Sequence, residues 1–503
     1  MQELTHYMNG EHVKGTSGRF SDFFNPATGE VQAKCPLANK DEMAQAVAFA
    51  AAAQPAWEKV NPQRRARVMM KFVDLLNRDM DKLAEALSRE HGKTFPDAKG
   101  DIQRGLEVVE YCVGAPQLLK GEFTDSAGPG IDMYSMRQAL GVTAGITPFN
   151  FPAMIPMWMF APAIACGNAF ILKPSERDPS VPLMLAELLE EAGLPKGIIQ
   201  VVNGDKEAVD AILYDDTIQS VGFVGSTPIA EYIYGTGCAQ GKRVQCFGGA
   251  KNHMIIMPDA DLDQAADALI GAGYGAAGAR CMAISVAVPV GKETADKLIA
   301  KLIPRVESLK VGPYTAGDDV DYGPVVTAAA KANIERLVQT GVDQGADLVV
   351  DGRNFNLQGY EDGFFVGPSL FDNVTTDMDI YKHEIFGPVL STVRAETYEE
   401  ALSYAMDHEY GNGTAIYTRD GDTARDFANR INIGMIGINV PIPVPLAYHT
   451  FGGWKKSAFG DLNQHGPDAF KFYTRTKTIT SRWPSGIREG VSSTSKQWTN
   501  PLL

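Results

Sequence analysis

The chain has 503 residues, enough for two or three domains, and its 45% hydrophobic and 21% charged content allows a large core and excludes disorder at scale. Its 46 basic residues are outnumbered by 61 acidic ones, a net charge of −15, which argues against nucleic acid or an anionic membrane as a general partner. The six cysteines are scattered, with no C-x-x-C pair and no Cys/His cluster at zinc spacing, so they read as reduced intracellular thiols and no metal is expected.

The N-terminal segment MQELTHYMNGEHVKG is polar and carries acids. It has neither the apolar core of a secretory signal nor the Arg/Ser-rich character of a transit peptide, so a cytoplasmic protein is expected. Two helical patterns follow, DEMAQAVAFAAAAQPAWEKV and QRRARVMMKFVDLLNRDMDKLAEALSREHGK, the second with Val68, Phe72, Leu75 and Leu76 at helical spacing. From Ala139 to Leu172 there is no charged residue. Such a run has the length of a membrane span, but Pro148, Pro152, Pro156 and Pro162 would interrupt its ladder repeatedly. It reads instead as a buried strand, an irregular loop and a short helix, with no membrane partner.

Beyond Ala139, β-rich runs alternate with helical ones. NAFILK precedes PLMLAELLEEAG, GIIQVVNG precedes EAVDAILY, and IQSVGFVGS precedes IAEYIYGTG. That alternation predicts βαβ units and a parallel sheet, an α/β fold. A second α/β block follows Cys281, with AISVAVPVG, the helix ETADKLIAKLIPRV and the strand-like ADLVVDG. The tail YTRTKTITSR alternates like an edge strand suited to an intersubunit sheet.

The G-x-G-x-x-G fingerprint is missing, but VGFVGSTPIAEYI offers a substitute. Gly225 and Ser226 follow a strand, Thr227 can cap a helix and Pro228 suits its first turn, so the helix N-terminus would face a pyrophosphate. In ILKPSERDPS, Lys173 and Glu176 fall just past a strand end, where α/β folds bind ligands. They read either as a solvated pair or as a grip on ribose hydroxyls. A carboxylate there would repel a 2′-phosphate, favouring NAD over NADP. In GAGYGAAGARCMAIS, Arg280 and Cys281 stand side by side after a small-residue run. A neighbouring cation favours the reactive thiolate, and Gly278 with its small neighbours leaves room for a substrate to approach. Asn150, in TPFNFP, is either an ordinary turn asparagine or an amide donor to an oxyanion.

Taken together, the chain resembles the aldehyde dehydrogenase superfamily over essentially its full length. PFNFP, KPSE, FVGST, the reactive Cys281 and EIFGPVL, with Glu384 and Phe386, come in the family order. The resemblance implies the aldehyde dehydrogenase fold: a Rossmann-like coenzyme domain at 1–120 and 140–249, a catalytic α/β domain at 250–449, and a β-hairpin oligomerisation element at 121–139 and 469–490. It implies a homodimer or homotetramer. It also implies Cys281 as nucleophile and Asn150, with the Cys281 N–H, as oxyanion donors. Lys173 and Glu176 would hold the adenine ribose, Ser226 beside Gly225 the pyrophosphate, and Glu384 the nicotinamide ribose. Thr147, Phe149, Arg177 and Phe386 complete the expected cofactor surface, with Arg177 also a candidate for the coenzyme A pocket.

The informative feature is a departure. Hydrolytic members carry a Glu about thirty residues before the Cys to activate water. Here that segment reads CFGGAKNHMIIM, and registering Lys251 with the motif lysine puts Phe247 in the Glu position, thirty-four residues before Cys281. Without a base, water attacks a thioester poorly. A thiol of pKa about 8.5 is already a few per cent thiolate at neutral pH, so coenzyme A is the expected acyl acceptor. A narrower resemblance agrees. GAKNHMIIMPDAD, ARCMAIS, INVPIPVPLAYHTFGGWKKSAFGD and FYTRTKTIT are similar to the CoA-acylating methylmalonate-semialdehyde dehydrogenases. In that group two arginines hold the substrate carboxylate, here Arg280 and Arg104 of DIQRGLE; on its own residues Arg104 reads as a helix-surface partner of Glu107. Local departures are Ala279 where Gln is usual, Lys456 in GGWKKS, and His383 before Glu384. His253 and Cys246 read as packing residues. The expectation is NAD-dependent, CoA-acylating oxidation and decarboxylation of malonate semialdehyde or its 2-methyl homologue, with a hydrolytic dehydrogenase or a non-enzymatic binding protein as alternatives.

Overall fold

The computed structural model of the protein describes residues 2–317 and 319–483. The last residues of the expected assembly segment, 484–490, lie outside them. Among the described residues there are five sheets, of which three organise the chain. The first has eight strands, with Arg243–Phe247, Ile218–Val224, Val142–Ile146, Ala169–Lys173 and Ile199–Val201 running parallel at its centre. Buried on both faces, four of these five centre strands bury four or more of their residues, as a helix-covered parallel sheet requires. The second sheet has seven strands and places Asn252–Ile256 between Ile284–Pro289 and Gly413–Tyr417, all parallel. The third is antiparallel and pairs Phe123–Gly128, Ile131–Ala139 and Thr474–Arg482. The two segments expected to serve assembly therefore meet in one sheet.

Two large hydrophobic cores surround the first two sheets. The segment after residue 446, beyond the second sheet, returns to the first: Ala458–Phe459 pairs with Arg243–Phe247, and Phe451, Phe470 and Phe472 join the first core. The charge-free run folds as expected into strand Val142–Ile146, a loop and helix Met154–Ala165. All twelve residues of that helix are buried, and it carries Pro156 and Pro162 within it. No helix among the described residues is long and apolar enough to cross a membrane.

One helical expectation is corrected. The pattern read as continuous from residue 63 is two helices, Pro62–Arg78 and Met80–His91, separated at Asp79, whose backbone leaves the helical region (φ −101°, ψ 14°). The break lets each segment turn its own apolar stripe to the core. Helix Phe95–Val113 follows, capped by the Thr94 hydroxyl and started by Pro96. It crosses Met154–Ala165 closely: a Cβ on Gly105 would lie 2.2 Å from Met157 Cε. That crossing fixes which face of the helix looks into the site.

Candidate active site

Cys281 sits where helix Leu262–Tyr274 gives way to strand Ile284–Pro289. The connection runs through Gly275–Gly278, with Ala276 and Ala277 left-handed at φ 52° and 55°. Each of these costs roughly 1–2 kcal/mol for a residue bearing Cβ. Gly278, at φ +69°, lies so close to the Gly387 carbonyl that a Cβ would stand 2.1 Å from it. The Cys281 loop is thus seated on the Glu384–Leu390 segment. From the opposite side, the Asn252 and Asn412 amides both donate to the Cys281 carbonyl, at 2.9 and 3.0 Å. The carbonyl is held, and the Cys281 and Met282 N–H groups face the thiol.

The thiol opens on a cavity of about 430 Å³ that Arg104, Arg280, Lys93, Asp97 and Asp101 also line. Arg280 donates to Asp97 at 2.8 Å. Arg104 donates to Glu107 at 2.8 Å and to the carbonyls of Val444 and Pro445. The helix-surface pair expected for Arg104 therefore forms, and the same side chain also faces the cavity. Lys93 and Asp101, both buried, form an ion pair at 3.1 Å. Lys93 also donates to the Asn150 backbone carbonyl at 2.7 Å, and Asp101 accepts from Met154 N–H at 2.7 Å. This buried pair pins both ends of the loop that carries Asn150. The remaining wall is apolar: Phe451 packs on Trp158 at 5.0 Å between ring centroids and on Phe247 at 6.1 Å. Phe247 is itself 4% exposed, so the position of the hydrolytic base is filled by a buried ring.

One electrostatic expectation is corrected. Desolvation, then the Glu384 charge, push the Cys281 thiol up to about 12; the Arg280 charge opposes this as the smallest of the named contributions. Adjacency in sequence does not make Arg280 decisive, because its guanidinium is already engaged by Asp97.

The expected cofactor residues lie along the strand ends of the first sheet and at the junction with the second. Lys173 and Glu176 pair at 3.2 Å. Burial works to raise the Glu176 carboxyl, but the Lys173 charge and backbone N–H donation hold it below its ordinary value. The Thr147 N–H donates to the Lys173 carbonyl, tying two neighbouring strand ends. Gly225 donates to the Phe247 carbonyl, and exposed Ser226 starts helix Thr227–Ala239. The cap is corrected here: Ser226, not Thr227, is the N-cap, without a side-chain cap bond. The Thr227 hydroxyl instead accepts from Gly249 N–H at 2.8 Å and donates to Tyr410 Oη. In the first turn Pro228 has no N–H and Ile229 and Ala230 donate to the Ser226 carbonyl, which leaves the Thr227 N–H facing outward for an anion. Phe149 packs edge-on against Phe386 at 5.9 Å, with the Arg177 guanidinium 5.0 Å above its ring. With Ala279 they line a second cavity of about 190 Å³. Glu384 accepts from Ala250 N–H at 3.1 Å, and desolvation pushes its carboxyl up to about 7. Lys251, lowered to about 7 by burial, donates to the carbonyls of Ile380 and His383 and anchors the turn before Glu384.

The departures separate by place. Ala279 lines the second cavity, where its small side chain leaves room. Lys456 pairs with Glu409 at 2.9 Å on the surface. His383 is exposed and contributes its carbonyl to Lys251. His253 and Cys246 are buried, as read from the sequence. Sequence reasoning missed Lys93, Asp97, Asp101, Asn252 and Asn412. A signal existed for two of them: Asp97, Asp101 and Arg104 are spaced i, i+4, i+7 on one helix face. Among the described residues no cluster of three or more His, Cys, Asp or Glu side chains is arranged to hold a metal ion.

Comparison with known proteins gives consistent results. The aldehyde dehydrogenase family profile matches residues 12–479. A malonate-semialdehyde dehydrogenase of Pseudomonas aeruginosa is 57% identical over the full length of both chains. An acylating methylmalonate-semialdehyde dehydrogenase of Arabidopsis thaliana mitochondria is 48% identical over 97% of this chain and 81% of its own. Among solved structures, a Sinorhizobium meliloti protein in complex with NAD superposes with a TM-score of 0.96 at 72% identity, covering 97% of this chain and 99% of the other.

Proposed function

The chain belongs to the aldehyde dehydrogenase family, and from that premise we propose that it is a CoA-acylating semialdehyde dehydrogenase. It oxidises malonate semialdehyde, methylmalonate semialdehyde or both with NAD, releases CO2 and forms acetyl-CoA or propanoyl-CoA. The observation that carries this reading is the cavity itself: one nucleophilic cysteine, two arginines and an apolar wall where a hydrolytic enzyme needs a carboxylate.

Arg104 and Arg280 would hold the substrate carboxylate, their planar guanidinium groups suiting a bidentate anion. The Cys281 thiolate adds to the aldehyde carbon. The Asn150 amide and the Cys281 N–H stabilise the oxyanion, while the Asn252 and Asn412 contacts hold the Cys281–Met282 peptide just after the thiol. The residues along the first sheet suit NAD: Ser226 and the Thr227 N–H at the start of helix Thr227–Ala239 for the pyrophosphate, the Lys173–Glu176 pair for one ribose, and Glu384 for the other. NAD held there would supply the hydride acceptor, and Cys281 would keep the acyl group as a thioester. That group is a malonyl-type thioester; its loss of CO2 leaves an enolate with charge on the thioester oxygen, where the same donors act again, and the α-carbon then takes a proton from water to give the acetyl or propanoyl thioester. Coenzyme A thiolate then takes the acyl group and frees Cys281, a ping-pong order. We read the first sheet and its helices as the NAD-binding domain, the second as the catalytic domain, and the third as the assembly surface of a cytoplasmic homodimer or homotetramer.

A hydrolytic reading draws on Glu384, whose carboxyl, raised to about 7, contributes to the field at the thiol. The test is NADH formation from both semialdehydes with and without CoA, with the acyl product identified by mass spectrometry. Sustained turnover only with CoA supports the proposal and ranks the substrates. Full turnover without CoA, releasing a free acid, overturns it.

A further inference from the structure

The two arginines of the cavity differ in how they are held. Arg104 is anchored three ways, by Glu107 and by the Val444 and Pro445 carbonyls. The Arg280 side chain has one hydrogen-bond partner among the described residues, the Asp97 carboxylate. Both members of that pair are about one-quarter exposed, at 22% and 26%, and both line the cavity. Asp97 sits in the first turn of helix Phe95–Val113, where negative charge is favoured. Its backbone N–H is bound separately by the Thr94 hydroxyl, so its position does not depend on Arg280. The carboxylate is presented to the cavity as a substrate's carboxylate would be.

We infer that Asp97 is a resident counter-anion that occupies Arg280 until the substrate carboxylate displaces it, and so sets the selectivity of the site. This rests on the reading of Arg280 as part of the carboxylate clamp. Three features support displacement over a purely structural tie. The neighbouring Asp101 is already neutralised by Lys93 and is buried, so Asp97 is the cavity carboxylate that faces Arg280. The Arg280 guanidinium lies over Gly275, where no side chain holds it: an added Cβ would lie 2.7 Å from Nη1 and 2.9 Å from Nη2. A part-exposed ion pair is also weak enough for a bidentate substrate to replace. An uncharged aldehyde leaves the Asp97–Arg280 pair intact and gains nothing from the arginine. A carboxylated one exchanges one ion pair for another. No proton or electron moves in this step.

The test uses alkylation of Cys281 in the full-length enzyme, comparing anionic iodoacetate with neutral iodoacetamide, alongside steady-state kinetics. Replacing Asp97 by Asn removes the competitor while keeping size. The iodoacetate-to-iodoacetamide rate ratio should rise about two- to fivefold, the range a part-exposed ion pair supports, and KM for malonate semialdehyde should fall. Asp97→Glu should keep the wild-type ratio, and in an Arg280→Ala background Asp97→Asn should produce no rise. An unchanged or lower ratio in Asp97→Asn, or a higher KM, would make Asp97 a buttress and overturn the inference. If Arg280→Ala alone alters neither the alkylation ratio nor the preference for malonate semialdehyde over propanal, the clamp reading itself fails, and that failure is distinct.

Discussion

Gly275→Ala isolates the geometry of the carboxylate site from the chemistry of the thiol. Gly275 has φ −54° and ψ 138°, a conformation any residue adopts, so alanine introduces no backbone strain. Its Cβ would meet the Arg280 guanidinium at 2.7 Å from Nη1 and 2.9 Å from Cζ and Nη2. Non-bonded carbon and nitrogen atoms rest near 3.5 Å, so the guanidinium must move by about 1 Å. It is the free end of a flexible side chain and can do so without unfolding anything. The shift breaks the 2.8 Å geometry with which Arg280 now meets a carboxylate. A hydrogen bond to a charged group contributes about 1.5–3 kcal/mol, so kcat/KM for malonate semialdehyde should fall about tenfold or more. Propanal, which has no carboxylate, should change less than about threefold by the same argument. Calorimetry should show Tm unchanged or slightly raised, since Gly→Ala at a compatible site restricts the unfolded chain. Equal loss on both aldehydes would mean that the loop bearing Cys281 was distorted, and no loss on either would mean that Arg280 does not hold substrate. Either result refutes the reasoning.

Three further outcomes follow from the buried charges. Lys93→Met strands Asp101 without its partner in the interior; the variant should lose about 3–5 kcal/mol in urea unfolding and lose kcat on both aldehydes, because the Asn150 carbonyl loses its donor. An unchanged unfolding midpoint would show that the pair is not a structural tie. Without cofactor, alkylation of Cys281 by iodoacetamide should climb about tenfold per pH unit beyond neutrality, because the thiol is pushed up to about 12 by desolvation and the Glu384 charge; a plateau below pH 9 would contradict that environment. His408 is lowered to about 4 by burial. The unfolded chain therefore takes a proton from about pH 6.5 downward that the folded chain refuses, and stability falls as pH drops from about 6.5 to 4, by up to about 3 kcal/mol from this group. His408→Gln should flatten that acid limb in urea titrations, and an unaltered limb would exclude His408 as a contributor.

The segments proposed to form the site were legible in the sequence because the local chemistry of each is complete: a strand end followed by Lys173 and Glu176, a small-residue turn before Cys281, a proline-bounded loop around Asn150. The missing base was legible for the same reason, since Phe247 falls in a fixed register with Lys251. What could not be read depends on contacts between distant segments. Asp97 becomes a cavity residue only because the close helix crossing at Gly105 sets the rotation of its helix. Asn252, on a strand, and Asn412, in a bend far along the chain, meet at one carbonyl. Thr227 looked like a cap because its own sequence neighbours allow it, yet the Gly249 N–H, some twenty residues on, claims its hydroxyl. The broken helix at Asp79 has the same origin: both halves are helical locally, and tertiary packing decides that they bend apart.

The Arg280–Asp97 contact joins two independently cored bodies. Asp97 and Arg104 ride on a helix packed in the first core, while Arg280 precedes a strand of the second. On the proposed roles, the thiol and part of the carboxylate clamp therefore stand on different hydrophobic cores. If Asp97 and Arg104 act on substrate as proposed, substitutions on the cavity-facing side of helix Phe95–Val113 alter which aldehyde is accepted and leave the loop that carries Cys281 as it stands.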